Sequence, residues 1–191
     1  MIEFRKARME DVRAMHSLLN SFAFTEKREL LPRSLSEVYE NLQQFHVAEE
    51  KGMIIATCAL YVTWDNLAEV KALCVQESYQ RQGIGRRLLE ACLKDAQTLG
   101  IRRVFTLTVK TDFFEKFGFR HVYKDDLPHK VWTECVRCPY YPERCIEYAM
   151  VIDLPGSGPA PQSIPHREKR MPTQDFAQAD LVPSEPTGDK P

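Results

Sequence analysis

Between Val70 and Lys94 the chain reads as an apolar strand, a turn broken by two glycines and an amphipathic helix, and few folds accommodate that succession. Val70-Lys71-Ala72-Leu73-Cys74-Val75 has the composition of a buried strand. Gln80-Arg81-Gln82-Gly83-Ile84-Gly85 then turns the chain, and Arg86 to Lys94 starts a helix with Leu88, Leu89, Cys92 and Leu93 at helical spacing. Glycines let a ligand approach the backbone with no side chain in the way. The free N–H groups and positive end of the helix favour an anion, and Arg81, Arg86 and Arg87 add formal charge. The segment is an anion cradle suited to a pyrophosphate.

Three common cradles compete. A dinucleotide fingerprint needs a third glycine three residues after the second, where Leu88 stands. A P-loop needs Gly-x-x-x-x-Gly-Lys-Ser/Thr, and that string does not occur. What remains is Gln/Arg-x-x-Gly-x-Gly at a strand-to-helix turn, which resembles the acetyl-CoA pyrophosphate loop of the GNAT family of N-acetyltransferases. A plain strand–turn–helix with a glycine tight turn is the bland alternative. The strand, the basic residues and the helix periodicity together favour the cradle.

The length allows one domain and a tail. Eight of the twelve prolines fall from Pro155 onward, among few aliphatic residues, so residues 1–154 are expected to fold and 155–191 to stay disordered. A formal net charge of −1 gives no global electrostatic case for nucleic acid. With no run of about eighteen apolar residues and no leader pattern, neither a membrane span nor export is expected, and the simplest location is cytoplasmic.

Periodicity gives strands at 2–7, 45–50, 53–62, 67–75, 103–109, 119–123 and 146–153. It gives a helix beginning at Met9-Glu10-Asp11, a second capped by Ser34 and carrying Leu35, Val38, Tyr39 and Leu42, and a third over 84–99 ended by Gly100. Asp112 is expected to cap a short helix closed by Gly118. The fold class is α/β (α+β), a mixed central sheet with helices on both faces.

This order is similar to the GNAT acyl-CoA N-acyltransferase fold. Phe113-Phe114-Glu115-Lys116-Phe117-Gly118-Phe119 resembles that family's short late helix. The succession Leu30-Leu31-Pro32-Arg33-Ser34, Ala59-Leu60-Tyr61, Glu69 to Val75, Phe105-Thr106-Leu107-Thr108 and Asp126-Leu127-Pro128-His129-Lys130 resembles the acetyltransferase domain of N-acetylglutamate synthases, the first enzymes of arginine biosynthesis. Many of those carry an amino-acid-kinase domain before this one, so the resemblance implies a stand-alone short form.

The resemblance implies acetyl-CoA as co-substrate and a small amino-acid acceptor. Gln80, Arg81, Gln82, Gly83, Ile84, Gly85 and Arg86 would hold the diphosphate, Leu73, Cys74 and Val75 the pantetheine arm, and Phe114 would pack against the cofactor. A backbone N–H near Cys74 would stabilise the developing oxyanion. Glu69 is the candidate base, acting through water, and period two puts Glu69, Lys71 and Leu73 on one face. Its bland alternative is a strand glutamate paired with Lys71. Phe114 stands where many members carry a proton-donating tyrosine, so no general acid is assigned; Thr111 is a polar neighbour. Arg33, Lys110 and Lys130 are the candidate cations for glutamate's two carboxylates, with Lys110 in place of an arginine.

Six cysteines suit reduced thiols or metal ligands better than disulfides. Cys135-x-x-Cys138 with Cys145, and His129 or His121 as a fourth ligand, is a candidate structural zinc site, against the alternative of loop thiols. Two other functions stay open: a GNAT enzyme for another amine (another amino acid, a protein N-terminus or a polyamine), and a CoA-binding sensor module without catalysis. The sequence leaves oligomeric state open, a homodimer included.

Overall fold

The computed structural model describes residues 1–23, 30–127, 135–136, 138 and 144–156. Seven strands form one sheet in the order β1-β2-β3-β4-β5-β7-β6. They are β1 (Glu3–Lys6), β2 (Phe45–Glu50), β3 (Met53–Trp64), β4 (Leu67–Val75), β5 (Arg103–Thr108), β6 (Arg120–Val122) and β7 (Tyr148–Asp153). All neighbours are antiparallel except β4 and β5, which run parallel. The helices are α1 (Val12–Ala23), α2 (Leu35–Glu40), α3 (Ile84–Thr98) and α4 (Thr111–Glu115).

Both faces of the sheet are covered, which is why β3 is buried continuously from Ile55 to Leu60 rather than in alternation. One face packs Ile84, Leu88, Leu89, Cys92 and Ala96 of α3 and Phe114 of α4 against Ala56, Cys58 and Val70. The other packs Val12, Met15 and Leu19 of α1 and Val38 of α2 against Val47 and Ala59. Fully burying one leucine contributes about 1.5–3 kcal/mol, so the stripe of α3 holds the cradle helix firmly to the sheet. The expected fold class is the one observed.

Local signals acted as their chemistry requires, with three exceptions. Ser34 Oγ accepts the Glu37 N–H at 3.1 Å. Gly100, at φ +76°, ends α3 with Gly100 N–H on Gln97 O and Ile101 N–H on Ala96 O, the paired bonds of a left-handed C-terminal cap. Gly118 closes α4 in the same way, with Phe119 N–H on Phe114 O and the two rings 5.2 Å apart. Asp112, by contrast, caps nothing. The short helix begins a residue earlier, at Thr111, because Lys110 N–H is taken by Thr108 Oγ1 and Lys110 O accepts from Phe113. Leu42 lies beyond α2 in a separate turn, and Met9–Asp11 is a 3-10 turn leading into α1.

Candidate active site

β4 and β5 pair only from Leu67–Arg103 to Glu69–Phe105. Beyond that point β4 runs on to Val75 beside β3, and β5 runs on to Thr108 beside β7. The sheet therefore parts along its parallel seam and opens a cleft of about 1620 Å3. Its lining brings together Leu73, Cys74, Val75, Gln80, Arg81, Gly83, Ile84, Gly85 and Arg86, with Phe114, Glu69, Lys71, Arg33 and Lys110. These come from β4, α3, α4 and three loops spread over some eighty positions.

At the cradle, Arg81 and Gly83 both take left-handed backbone, φ +61° and +80°. Gly83 O accepts from Arg87 N–H and is the first carbonyl of α3, so the amides of Ile84, Gly85 and Arg86 precede the helical ladder. A Cβ built on Gly83 meets no protein atom within 4 Å; one on Gly85 makes ordinary contact with Val75 and Phe113. That is a cradle with room left for a ligand. Gln80 braces it by donating to Val75 O at 3.0 Å, and Gln82 turns its side chain onto Ser78 O. Arg81 and Arg86 line the cleft, but Arg87 stacks on the Phe4 ring at 3.7 Å and supplies it no charge.

The strand entering the cradle departs from plain alternation. Thr57 pairs with Cys74 and Ala59 with Lys71, so Cys58 alone faces both Ala72 and Leu73. This is a β-bulge. Ala72 absorbs it at φ +54°, a backbone unusual for a residue with a side chain. Buried Thr57 holds the bulge, its hydroxyl donating to Ala72 O at 2.8 Å and lying 3.4 Å from Cys74 Sγ. The bulge overturns the period-two expectation. Glu69 and Lys71 face the α1 side, Lys71 Nζ lying 4.5 Å from the Tyr61 ring centroid, while Leu73 has crossed to the α3 side. No sequence signal marked Thr57.

Glu69 and Lys71 form an ion pair at 3.0 Å, their side chains 14% and 10% exposed. Cys74 is a packing thiol. Burial pushes it up to about 11, so it stays protonated at neutral pH and only its backbone offers chemistry. Arg33 is 11% exposed and ion-paired with Glu37, while Asn20 bonds its backbone N–H and C=O at 2.9 and 3.0 Å. Lys110 is exposed on the β5 side. Phe114 is buried against Phe113 and Phe119 and carries no hydroxyl. Lys130 and His129 lie outside the described residues.

The zinc expectation finds no support. Among the described residues no three His, Cys, Asp or Glu side chains converge as a metal site would require. Cys145 Sγ instead takes a hydrogen bond from the Lys124 ammonium at 2.8 Å, a neighbour that repels a cation. His121 is engaged with Glu115 at 3.1 Å. All three cysteines line the cleft.

A mixed sheet parted along its parallel seam beside a glycine turn that opens a helix is the frame of an acyl-CoA-dependent N-acyltransferase. Residues 41–121 match the pattern of the acetyltransferase (GNAT) domain. An uncharacterized N-acetyltransferase of Chlorobaculum tepidum is 34% identical over 150 residues, 78% of this chain and 95% of that protein. An amino-acid acetyltransferase of Mycobacterium tuberculosis is 33% identical over 136 residues, 70% of this chain and 76% of its own length. Among solved structures, Rv2747 of Mycobacterium tuberculosis, in complex with CoA and NLQ, has a TM-score of 0.69 at 29% identity, over 80% of this chain and 99% of that one. N-acetylglutamate synthase of Neisseria gonorrhoeae, complexed with coenzyme A and N-acetyl-glutamate, shares the fold with a TM-score of 0.71 at 24% identity, over 81% of this chain and 35% of that one. The chain belongs to the GNAT family and is an N-acetyltransferase. No helix among the described residues is long and apolar enough to cross a membrane.

Proposed function

We propose that the amine acetylated is the α-amino group of L-glutamate, so that the chain acts as an N-acetylglutamate synthase. The observation that carries this reading is Arg33, set in the cleft with its backbone held at both polar atoms by Asn20 and its guanidinium oriented by Glu37. An arginine so fixed presents a planar fork in advance, and forks of that kind suit carboxylates. Lys110, across the gap on the β5 side, is the second cation. A polyamine acceptor would call for an excess of acids, whereas the lining carries Arg33, Lys71, Arg81, Arg86, Lys110 and Lys116 against Glu69, Glu77 and Glu147. The likeness to an amino-acid acetyltransferase supports the same substrate class.

Acetyl-CoA supplies the acetyl group as an activated thioester. The chain's own work is to hold, orient and move protons. In this reading the amides of Gln82 to Arg86 hold the diphosphate, with Arg81 and Arg86 above them. The edge of Leu73, Cys74 and Val75 aligns the pantetheine arm, and a backbone N–H beside Cys74 faces the carbonyl oxygen, a position commonly worth about 3 kcal/mol. Glu69 draws the proton from the amine through water. Phe114 has none to return, and a thiol of pKa about 8.5 leaves as thiolate with little help, so solvent completes the step.

Arg33→Ala is expected to raise the glutamate KM by about tenfold, the loss of one charged hydrogen-bonded contact, while the acetyl-CoA KM moves less than about twofold. Steady-state kinetics with each substrate varied will check it; equal effects on both constants reject the role. Turnover on glutamate no faster than on lysine or spermidine would reject the assignment itself. The tail is proposed to be dispensable. Removal of residues 155–191 is expected to leave kcat and Tm nearly unchanged, since Leu154, whose N–H bonds Arg102 O at 2.6 Å, already closes the core.

A further inference from the structure

One wall of the cleft is built from α1 and from the loop that leads into α2. Ser17, Leu18 and Ser21 line it from the helix, Leu31 and Arg33 from the loop. Arg33 lies in neither strand nor helix, and Pro32 before it has no N–H to donate. The Arg33 backbone is nonetheless bonded at both polar atoms, and by one side chain. Its N–H donates to Asn20 Oδ1 at 2.9 Å, and Asn20 Nδ2 donates to its carbonyl at 3.0 Å. The amide reaches across thirteen positions of chain and pairs with Arg33 as a neighbouring strand would. These two bonds also fix which way round the amide lies, since a backbone N–H only donates and a carbonyl only accepts. Asn20 Nδ2 has a second hydrogen, and His16 Nε2, one turn back on α1, lies 2.9 Å away. That nitrogen has to accept, so His16 carries its hydrogen on Nδ1.

Arg33 lines the cleft, whereas His16, Asn20 and Glu37 do not. Whatever those three contribute to the reaction therefore passes through Arg33. Glu37 engages the guanidinium at Nη1 from the first turn of α2, the turn that Ser34 caps. Arg33 is thus held at its backbone from α1 and at its side chain from α2. An arginine ordered before its ligand arrives loses less freedom on binding. We infer that Asn20 is a specificity-determining residue for the acceptor: by clamping the Arg33 backbone it places the guanidinium where a carboxylate of the incoming amine meets it, and His16 secures the amide in the clamping orientation. Asn20 is a positioning residue, with no contact of its own to the substrate. The inference rests on the reading of Arg33 as a carboxylate-binding cation, and it holds for any amino-acid acceptor. It assigns the preference for an amine that bears a carboxylate to a side chain outside the cleft.

The test is a double-mutant cycle on the full-length protein, with acetyl-CoA and glutamate, or whichever amino acid is turned over faster, varied in turn. Asn20→Ala is expected to raise the acceptor KM about fivefold while kcat and the acetyl-CoA KM move less than about twofold. In an Arg33→Ala background the same substitution is expected to change the acceptor KM by less than about twofold, because the group it positions is gone. Additive effects of the two substitutions overturn the proposal. So does an equal rise in the acetyl-CoA KM, which would mean that Asn20 supports the wall as a whole. Asn20→Asp keeps the acceptor for the Arg33 N–H and loses the donor to Arg33 O and His16. It is expected to raise the acceptor KM by a smaller factor, and it carries the same cycle if the alanine variant does not fold. Substitution at Asn20 that leaves the acceptor KM at its wild-type value, where Arg33→Ala raises it, sinks the clamp alone. Arg33→Ala without effect on the acceptor KM sinks the carboxylate reading and the clamp together.

Discussion

Gly83→Val will raise the acetyl-CoA KM by roughly thirtyfold or more, about 2 kcal/mol of lost binding. Two effects must be separated. Gly83 sits at φ +80°, so any side chain there is strained whatever the space around it. A Cβ at this position meets no protein atom within 4 Å, so the branch projects into open space at the lining of the cleft and not into the core. Gly100, at the other end of α3, provides the control. It has φ +76° and equally open surroundings, yet it lies far from the cradle. Gly100→Val carries the same backbone strain, on the order of 1–2 kcal/mol. It is expected to lower Tm about as much as Gly83→Val while leaving the acetyl-CoA KM unchanged. Comparable KM changes in the two variants would mean that helix strain, and not the cradle, governs binding, and the diphosphate reading of this loop would fail.

The cradle was legible because it is local. Two glycines, a preceding apolar run and a following helical stripe are all set by neighbours within a turn or two, and their spacing carries the geometry. The same holds for the Ser34 cap and for Gly100 and Gly118, whose backbone demands follow from covalent structure. What escaped was set by partners distant in the chain. Whether Arg86 or Arg87 faces a ligand depends on Phe4, eighty-odd positions away, which takes Arg87 onto its ring. The cysteine spacing suggested a metal, but spacing cannot say which way three side chains point, and Lys124 occupies the flank of Cys145. Arg33 precedes the Ser34 cap, so its ion pair with Glu37 depends on how the chain enters α2 and not on helical spacing.

The bulge in β4 was the most consequential feature hidden from sequence, because register belongs to a pair of strands and not to either alone. Nothing in Lys71-Ala72-Leu73-Cys74 says that two of its residues share one partner on β3. Only the fold brings Thr57 to where its hydroxyl can satisfy Ala72 O. That dependence yields the second large prediction. Thr57→Val removes one hydroxyl at almost constant volume and leaves a carbonyl with no hydrogen at a fully buried position. The cost is about 1–3 kcal/mol for the unsatisfied group. It falls on a residue already held at φ +54°. Relaxing that strain means sliding the register toward regular pairing, which would swing Leu73 back across the sheet and re-aim the backbone edge that borders the gap. The expected result is a fall in kcat of more than about tenfold with a smaller change in the acetyl-CoA KM, since the proposed diphosphate site is the loop and helix beyond Val75. Tm should drop as well. Thr57→Ser keeps the hydroxyl and should recover most of kcat. If Thr57→Val loses stability but keeps its turnover, the bulge is a packing feature alone. If serine fails where valine fails, the methyl group and not the hydrogen bond holds the strand.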